Sequence, residues 1–166
     1  YFGGANIINC HNYSTVTGGY STGPVADMRV GGLVGEAYSS NLNIVNCTNN
    51  GKVTSGNVLY TLQIGGIGGL FNDCSMTNSH NYGDITGGAV TYDAPADRYS
   101  IKPNMYVGGI LGYADGYDMV NCSNSATVTS GKLAVNDQPY QATGSVLKIG
   151  GLCGFFYLSA QDCTNK

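Results

Sequence analysis

Charge is what this sequence has least of. Asp, Glu, Lys and Arg make up 10% of its 166 residues, against about 25% in an average domain. The seven Lys and Arg residues form no run, and the net charge is −3. A nucleic-acid groove needs grouped cations to displace counterions from phosphate, so no nucleic-acid partner is expected. No apolar run approaches the roughly 18 residues of a membrane-spanning helix, so no membrane insertion is expected in this segment. Nor does any stretch carry a long i, i+3, i+4, i+7 apolar stripe, and almost no helix is expected. Tryptophan is absent and proline occurs four times. No charged-then-apolar leader opens the chain. It starts at Tyr1 and stops at Lys166 partway through a repeat, which predicts a piece of a longer protein.

What is present points to strands and tight turns. Glycine supplies 26 residues and tyrosine 13, and apolar residues make up 42%, enough to fill a core. Gly, Asn, Thr, Val and Ile favour turns and pleated surfaces over helices.

Two phrases recur. The first is VGGLVG (30–35), IGGIGG (64–69), VGGILG (107–112) and IGGLCG (149–154). The second follows each of these as NCTNNGKVTSG (46–56), NSHNYGDITGG (78–88), NCSNSATVTSG (121–131) and a truncated DCTNK (162–166). NCHNYSTVTGG (9–19) is a copy without its first block. The repeats divide as 1–29 (partial), 30–63, 64–106, 107–148 and 149–166 (partial), one array over 1–166. Most length variation falls in the spacers 57–63, 88–106 and 132–148. A near-constant unit with insertions at one place is how a solenoid looks in sequence.

Each unit offers three short strand-like pieces: one at the glycine block, one around Ile44–Cys47 and one around Lys52–Thr54. The expected fold is all-β: a parallel β-helix-like solenoid of about five coils, three complete and two partial, with hairpin-like insertions or extra strands at one corner. Coils stack about 4.8 Å apart. Stacking would align like residues in three columns: Val16, Val53, Ile85 and Val128; Ile7, Ile44, Met76, Met119 and Ala160; and Asn12, Asn49, Asn81, Asn124 and Asn165. The first two are apolar throughout, as buried columns should be. The third suits a corner that needs positive φ, which Asn tolerates, with amides bonding along the axis.

A Gly-Gly-Leu/Ile-x-Gly block followed by Asn-Cys-x-Asn resembles the GLUG-motif repeat of bacterial surface and secreted proteins. The likeness covers nearly all of the chain outside the spacers. It implies an exported, cell-surface setting, adhesin-like or fibrous, and it brings no catalytic residues. The long spacers depart from the tight spacing usual in such repeats.

Several residues invite a chemical reading. Cys10, Cys47, Cys122 and Cys163 share one column with Ser79, while Cys74 and Cys153 stand outside it. No CxxC pair exists, so a zinc ribbon is not expected. Stacked cysteines come within disulfide range by Cα, but parallel side chains leave their Cβ atoms about 4.8 Å apart, which strains a bridge. Small buried thiols are the leading reading, with disulfides and metal-binding or reactive thiols as alternatives.

His11 and His80 share a repeat position two coils apart, roughly 10 Å by rise, too far for common metal ligation. The acidic residues are scattered, and only 93–98 and 115–118 bring two together (Asp93 with Asp97, Asp115 with Asp118). Neither pair has the ligand pattern of a calcium loop or the opposed geometry of a glycosidase. Thr-x-Thr at 15–17 and 127–129 suggests an ice-binding array, but the matching positions read KVT and DIT.

Tyrosine gives the best binding hint. Tyr92, Tyr99, Tyr106 and Tyr140 lie in the spacers, and Tyr38, Tyr113, Tyr117 and Tyr157 follow the glycine blocks. Flat rings with hydroxyl tips suit sugar or protein contact; they equally fill half-buried sheet faces.

The expected function is a non-enzymatic extracellular structural or adhesive module of a bacterial surface protein. It would bind a glycan or host protein through its insertion face and contact neighbouring repeats or copies of itself. No cofactor, metal or catalytic residue is expected. The rivals are a self-assembling fibre subunit and a carbohydrate-active β-helix enzyme.

Overall fold

A computed structural model describes residues 6–21, 26–39, 42–92, 102–116, 118–135, 145–157 and 159–166. Among them there is no helix, and every strand pairing is parallel. The chain winds as a β-helix-like solenoid, each coil lying on the one before.

One coil shows the plan. Asp27–Gly31 enters, a bend at Gly32 and Leu33 follows, and Val34–Tyr38 leaves it. Asn43–Val45, Thr48–Asn49 and Val53–Thr54 then complete the circuit. The coil thus has five strands where the sequence marks three. The glycine block proves to be two strands hinged at its middle, and the Asn-Cys-x-Asn phrase is broken by a corner. Five ladders, each four or five strands deep, run along the axis.

The aligned columns stand as the repeat predicts. Val16 pairs with Val53, Val53 with Ile85 and Ile85 with Val128. Ile7, Ile44, Met76, Met119 and Ala160 form a second file. Asn12, Asn49, Asn81, Asn124 and Asn165 form a third.

One expectation needs correction. Positive φ belongs to the residue before the cysteine column, not to the asparagine file: Asn9, Asn46, Asn78, Asn121 and Asp162 all lie at φ of 50–55°. Asn and Asp tolerate this left-handed corner better than other side chains. The spacers supply the extra strands expected of them: their described ends continue the coil, with Val90–Tyr92 pairing in parallel with Leu133–Val135 and Val58 bridging to Val90. Residues 93–101 and 136–144, where a hairpin-like insertion would fall, lie outside the described residues. This is the extra sheet that aligned spacers allow.

The asparagine file has its own logic. Asn49, Asn81 and Asn124 are fully buried, where an unpaired amide costs about 1–3 kcal/mol. None is unpaired. Each Nδ2 donates to the Oδ1 of the asparagine in the next coil, at 2.8 Å from Asn12, Asn49 and Asn81 and 2.9 Å from Asn124. Its second hydrogen goes to the carbonyl two residues on, at Ser14, Gly51, Gly83 and Ala126. All the amides therefore point the same way along the axis.

Opposite them stand glycines. A Cβ on Gly32 would lie 2.6 Å from the Asn49 amide carbon, and Gly66, Gly109 and Gly151 meet Asn81, Asn124 and Asn165 in the same way. The glycine phrase and the asparagine phrase recur together because they touch across the coil.

This contact forms a waist. On one side lie Val34, Ala37, Leu42, Ile44 and Cys47 with their coil equivalents, and on the other Val30, Val53, Val58, Leu62 and Ile64 with theirs. Each fully buried aliphatic side chain in these lobes contributes about 1.5–3 kcal/mol.

Gly66→Ala, which drives a methyl group into the Asn81 amide and the Gly109 carbonyl, is expected to lower the unfolding free energy in urea by about 3 kcal/mol. Gly19→Ala, with nothing within 4 Å, should stay within about 0.5 kcal/mol. Asn81→Leu should cost at least about 3 kcal/mol, since it orphans buried partners on both neighbouring asparagines. Equal midpoints for Gly66→Ala and Gly19→Ala would remove the waist from this account.

Candidate functional site: a cleft beside the glycine bends

The last glycine of each block lets the strands on either side of the bend meet closely. A Cβ on Gly69 would lie 2.9 Å from the Gln63 carbonyl oxygen of its own coil and 2.6 Å from the Val30 nitrogen of the coil below, and on Gly35 it would lie 3.1 Å from the Arg29 carbonyl oxygen. With backbones this close, the outward side chains just before and just after the block face one another. Four such pairs run up the molecule.

In the lowest coil the pair is ionic: Arg29 Nη1 lies 3.2 Å from Glu36, while Nη2 lies 2.8 Å from Asp27. Next comes Gln63 with Leu70, both almost buried. Above them Tyr106 and Tyr113 meet edge to face, with centroids 5.2 Å apart. Last is Lys148, whose Nζ stands 4.1 Å over the Phe155 ring. Tyr113 stacks on Phe155 at 4.7 Å and 9°, tying the upper two pairs together.

The low Gln63–Leu70 pair leaves a cleft of about 350 Å³ between the bulky pairs around it. One flank carries Asp27, Tyr60, Thr61 and Asn104, and the other carries Tyr38, Asn72 and Asp115. Arg29 Nε donates to Gln63 Oε1 at 3.0 Å, which orients that carboxamide. Burial pushes the Tyr106 and Tyr113 phenols up, and nearby negative charge adds to this at Tyr113. Tyr38 is raised as well, chiefly by burial, with Arg29 opposing. The three hydroxyls therefore stay protonated, able both to donate and to accept.

Of the spacer tyrosines singled out from sequence, Tyr106 forms a wall of this cleft. Tyr92 does not belong to a ligand surface: it is 3% exposed, because the strand Val90–Tyr92 turns it inward. Tyr99 and Tyr140 lie outside the described residues, as do Tyr117, Asp93 and Asp97. Among the tyrosines after the glycine blocks, Tyr38 and Tyr113 line the cleft and Tyr157 stands 65% exposed. Asp27, Tyr60, Gln63, Leu70, Asn72 and Asn104 escaped the sequence reading. A usable signal existed: each glycine block is flanked by a facing pair, Arg29 and Glu36, Gln63 and Leu70, Tyr106 and Tyr113, Lys148 and Phe155.

The other candidates resolve more simply. All six cysteines are free. Cys47, Cys122 and Cys163 each donate to the carbonyl two residues back at 3.3 Å, and Ser79 makes the same bond at 3.1 Å, which explains how serine replaces cysteine there. His11 Nδ1 is 2.8 Å from the Thr48 hydroxyl and His80 Nδ1 is 2.9 Å from that of Ser123. Each histidine is thus bonded to its coil neighbour. Among the described residues no His, Cys, Asp and Glu group is placed to hold a metal. Thr17, Thr54, Thr86 and Thr129 form one outward file, but the file beside it reads Thr15, Lys52, Asp84 and Thr127. A flat two-rank threonine array is absent from these residues.

The stacked coils make this a parallel solenoid repeat protein whose outward face varies widely while its inner columns vary little. Its repeat is a known one. A model of the GLUG motif matches residues 26–54 and 103–129, so two of the coils carry that motif. No curated protein and no solved structure matches it.

The thiols give a pH signature. Burial raises Cys122 and Cys153 to about 12. Above the ordinary thiol value of 9.0 the unfolded thiols release protons that the native ones keep. Stability is therefore lost as pH rises through the window from about 9 to about 12. Between pH 7 and pH 10, Cys122→Ser should lose about 1 kcal/mol less than the parent protein in urea titrations. An identical pH dependence would mean the thiol is open to solvent.

Proposed function

We propose that this chain is a non-enzymatic extracellular module of a bacterial surface protein, at once structural and adhesive. The observation that carries the reading is the buried asparagine file, bonded amide to amide from Asn12 to Asn165. Such a file favours a rigid rod, since no coil bends away without orphaning amides in a dry interior. A rod that keeps its interior constant and varies its outer face suits display of a binding surface away from a cell. Spacer residues Tyr60, Thr61, Asn104 and Tyr106 border the cleft, so the binding face adjoins the insertions. Adhesion to a glycan or a host protein is the activity we assign to it.

Catalysis is disfavoured by placement. Asp27 and Asp115 are the carboxylates lining the cleft; they lie two coils apart, roughly 10 Å by rise, and Asp27 is engaged by Arg29. A retaining glycosidase needs carboxyl groups about 5 Å apart. Among the described residues no helix is long and apolar enough to cross a membrane.

Beads coated with the 166-residue chain should adhere to glycan- or matrix-coated surfaces and not to bare ones. Failure on every such surface would remove the adhesive role. Filaments that lengthen with protein concentration under the electron microscope would shift the assignment to a self-assembling fibre subunit.

A further inference from the structure

The cleft differs from the rest of the outer face in being a built concavity. We propose that it is a binding site for a neutral pyranose unit at an exposed position of a glycan. This rests on the adhesive reading above and names its ligand class.

Size comes first. A volume of about 350 Å³ is at the low end for ligand sites, which span about 300–1,000 Å³, and it suits one or two sugar rings better than a long chain.

Surface chemistry comes next. A pyranose has apolar C–H faces and a rim of hydroxyls, so its site needs flat apolar area beside short polar groups. The Tyr106–Tyr113 pair forms the wall and Leu70 the floor, while Thr61, Asn72 and Asp115 flank them. Tyr106 and Tyr113 are half-buried, and each is fixed by contact with Phe155, at 6.0 Å and 4.7 Å between centroids. Little side-chain freedom remains to be lost on binding, which favours affinity.

Charge decides among ligands. Among the described residues lining the cleft there is no Lys or Arg. Arg29, which bonds Gln63 there, is held by both Asp27 and Glu36, so a uronate or other acidic sugar would face the carboxylates of Asp27 and Asp115. A lysine or arginine side chain would meet one carboxylate, Asp115, because Asp27 is already paired. It would leave the hydroxyls and amides of the cleft unmatched while losing its own hydration. Hydroxyls, by contrast, can donate to Asp115 and exchange bonds with the amides and phenols.

The test uses the whole chain and three probes, read by calorimetry and ligand-observed NMR: cellobiose, digalacturonate, and acetyl-lysine methylamide carrying a free ε-ammonium. Cellobiose should bind and the other two should bind at least tenfold more weakly. Asp115→Asn should weaken cellobiose about tenfold, because the neutral amide oxygen accepts more weakly than a carboxylate and replaces two acceptors with one. Leu70→Trp, which fills the cleft from its floor, should abolish binding with an unchanged urea midpoint. If Leu70→Trp unfolds the chain, Thr61→Val and Asn72→Leu serve as the second pair and should each weaken binding about tenfold. Preference for digalacturonate or for the lysine derivative would overturn the assignment, as would no sugar binding, or binding indifferent to these changes. The adhesion assay separates the two readings. Beads that adhere equally with Leu70→Trp would sink the cleft and spare the adhesive role, whereas cellobiose binding without any adhesion would do the reverse.

Discussion

The contact between one glycine and one asparagine amide in each coil governs this molecule. A buried carboxamide is costly unless all its hydrogen-bonding capacity is met. Here the demand is met from three directions: the asparagine below, the asparagine above and the backbone two residues on. The opposite wall must then lack a side chain, because Gly66 sits against Asn81 and Gly109 against Asn124. Register follows from this. A strand shifted by one residue would push a branched side chain into the waist and expose an unpartnered amide, so two penalties oppose every slip. The apolar columns add stability, but hydrophobic contact alone tolerates sliding. The amide file does not.

That division of labour frees the outer face. The inner columns hold Val, Ile, Leu and Met in narrow variation, whereas the pairs facing each other across the glycine bend are ionic, mixed, aromatic and cation–π in turn. None of these pairs is needed to close the coil, since glycine brings the backbones together in every case. Surface chemistry can therefore change from coil to coil without disturbing the winding. This is the property expected of a scaffold whose specificity resides in its decoration.

Much of the architecture was legible because stacking turns a period in sequence into a file in space. Val16, Val53, Ile85 and Val128 line up as the repeat predicts, and so do all five asparagines. What was misread involved geometry within a coil. Composition does not say which of two nearby asparagines turns the corner; Asn46 takes the left-handed backbone and Asn49 takes the amide bonds, and both read simply as turn formers. The inward turn of Tyr92 was hidden because tyrosine is equally at home on either face of a strand. The cleft was half visible. The spacer position of Tyr106 points to it, but its partner Tyr113 follows a glycine block and falls in a different set, because the bend that brings them together lies inside a block that reads as one strand.

The cleft is a property of the stack and not of any repeat. Gln63 and Leu70 are unremarkable side chains on a single coil, and they make a concavity only because Arg29 with Glu36 rises below them and Tyr106 with Tyr113 above. Exchanging whole repeats would therefore move or erase the site even if every lining residue survived, while the inner files would carry on unbroken. Recognition in such a molecule is written in the order of its coils, and the asparagine file is what makes that order a fixed spatial arrangement.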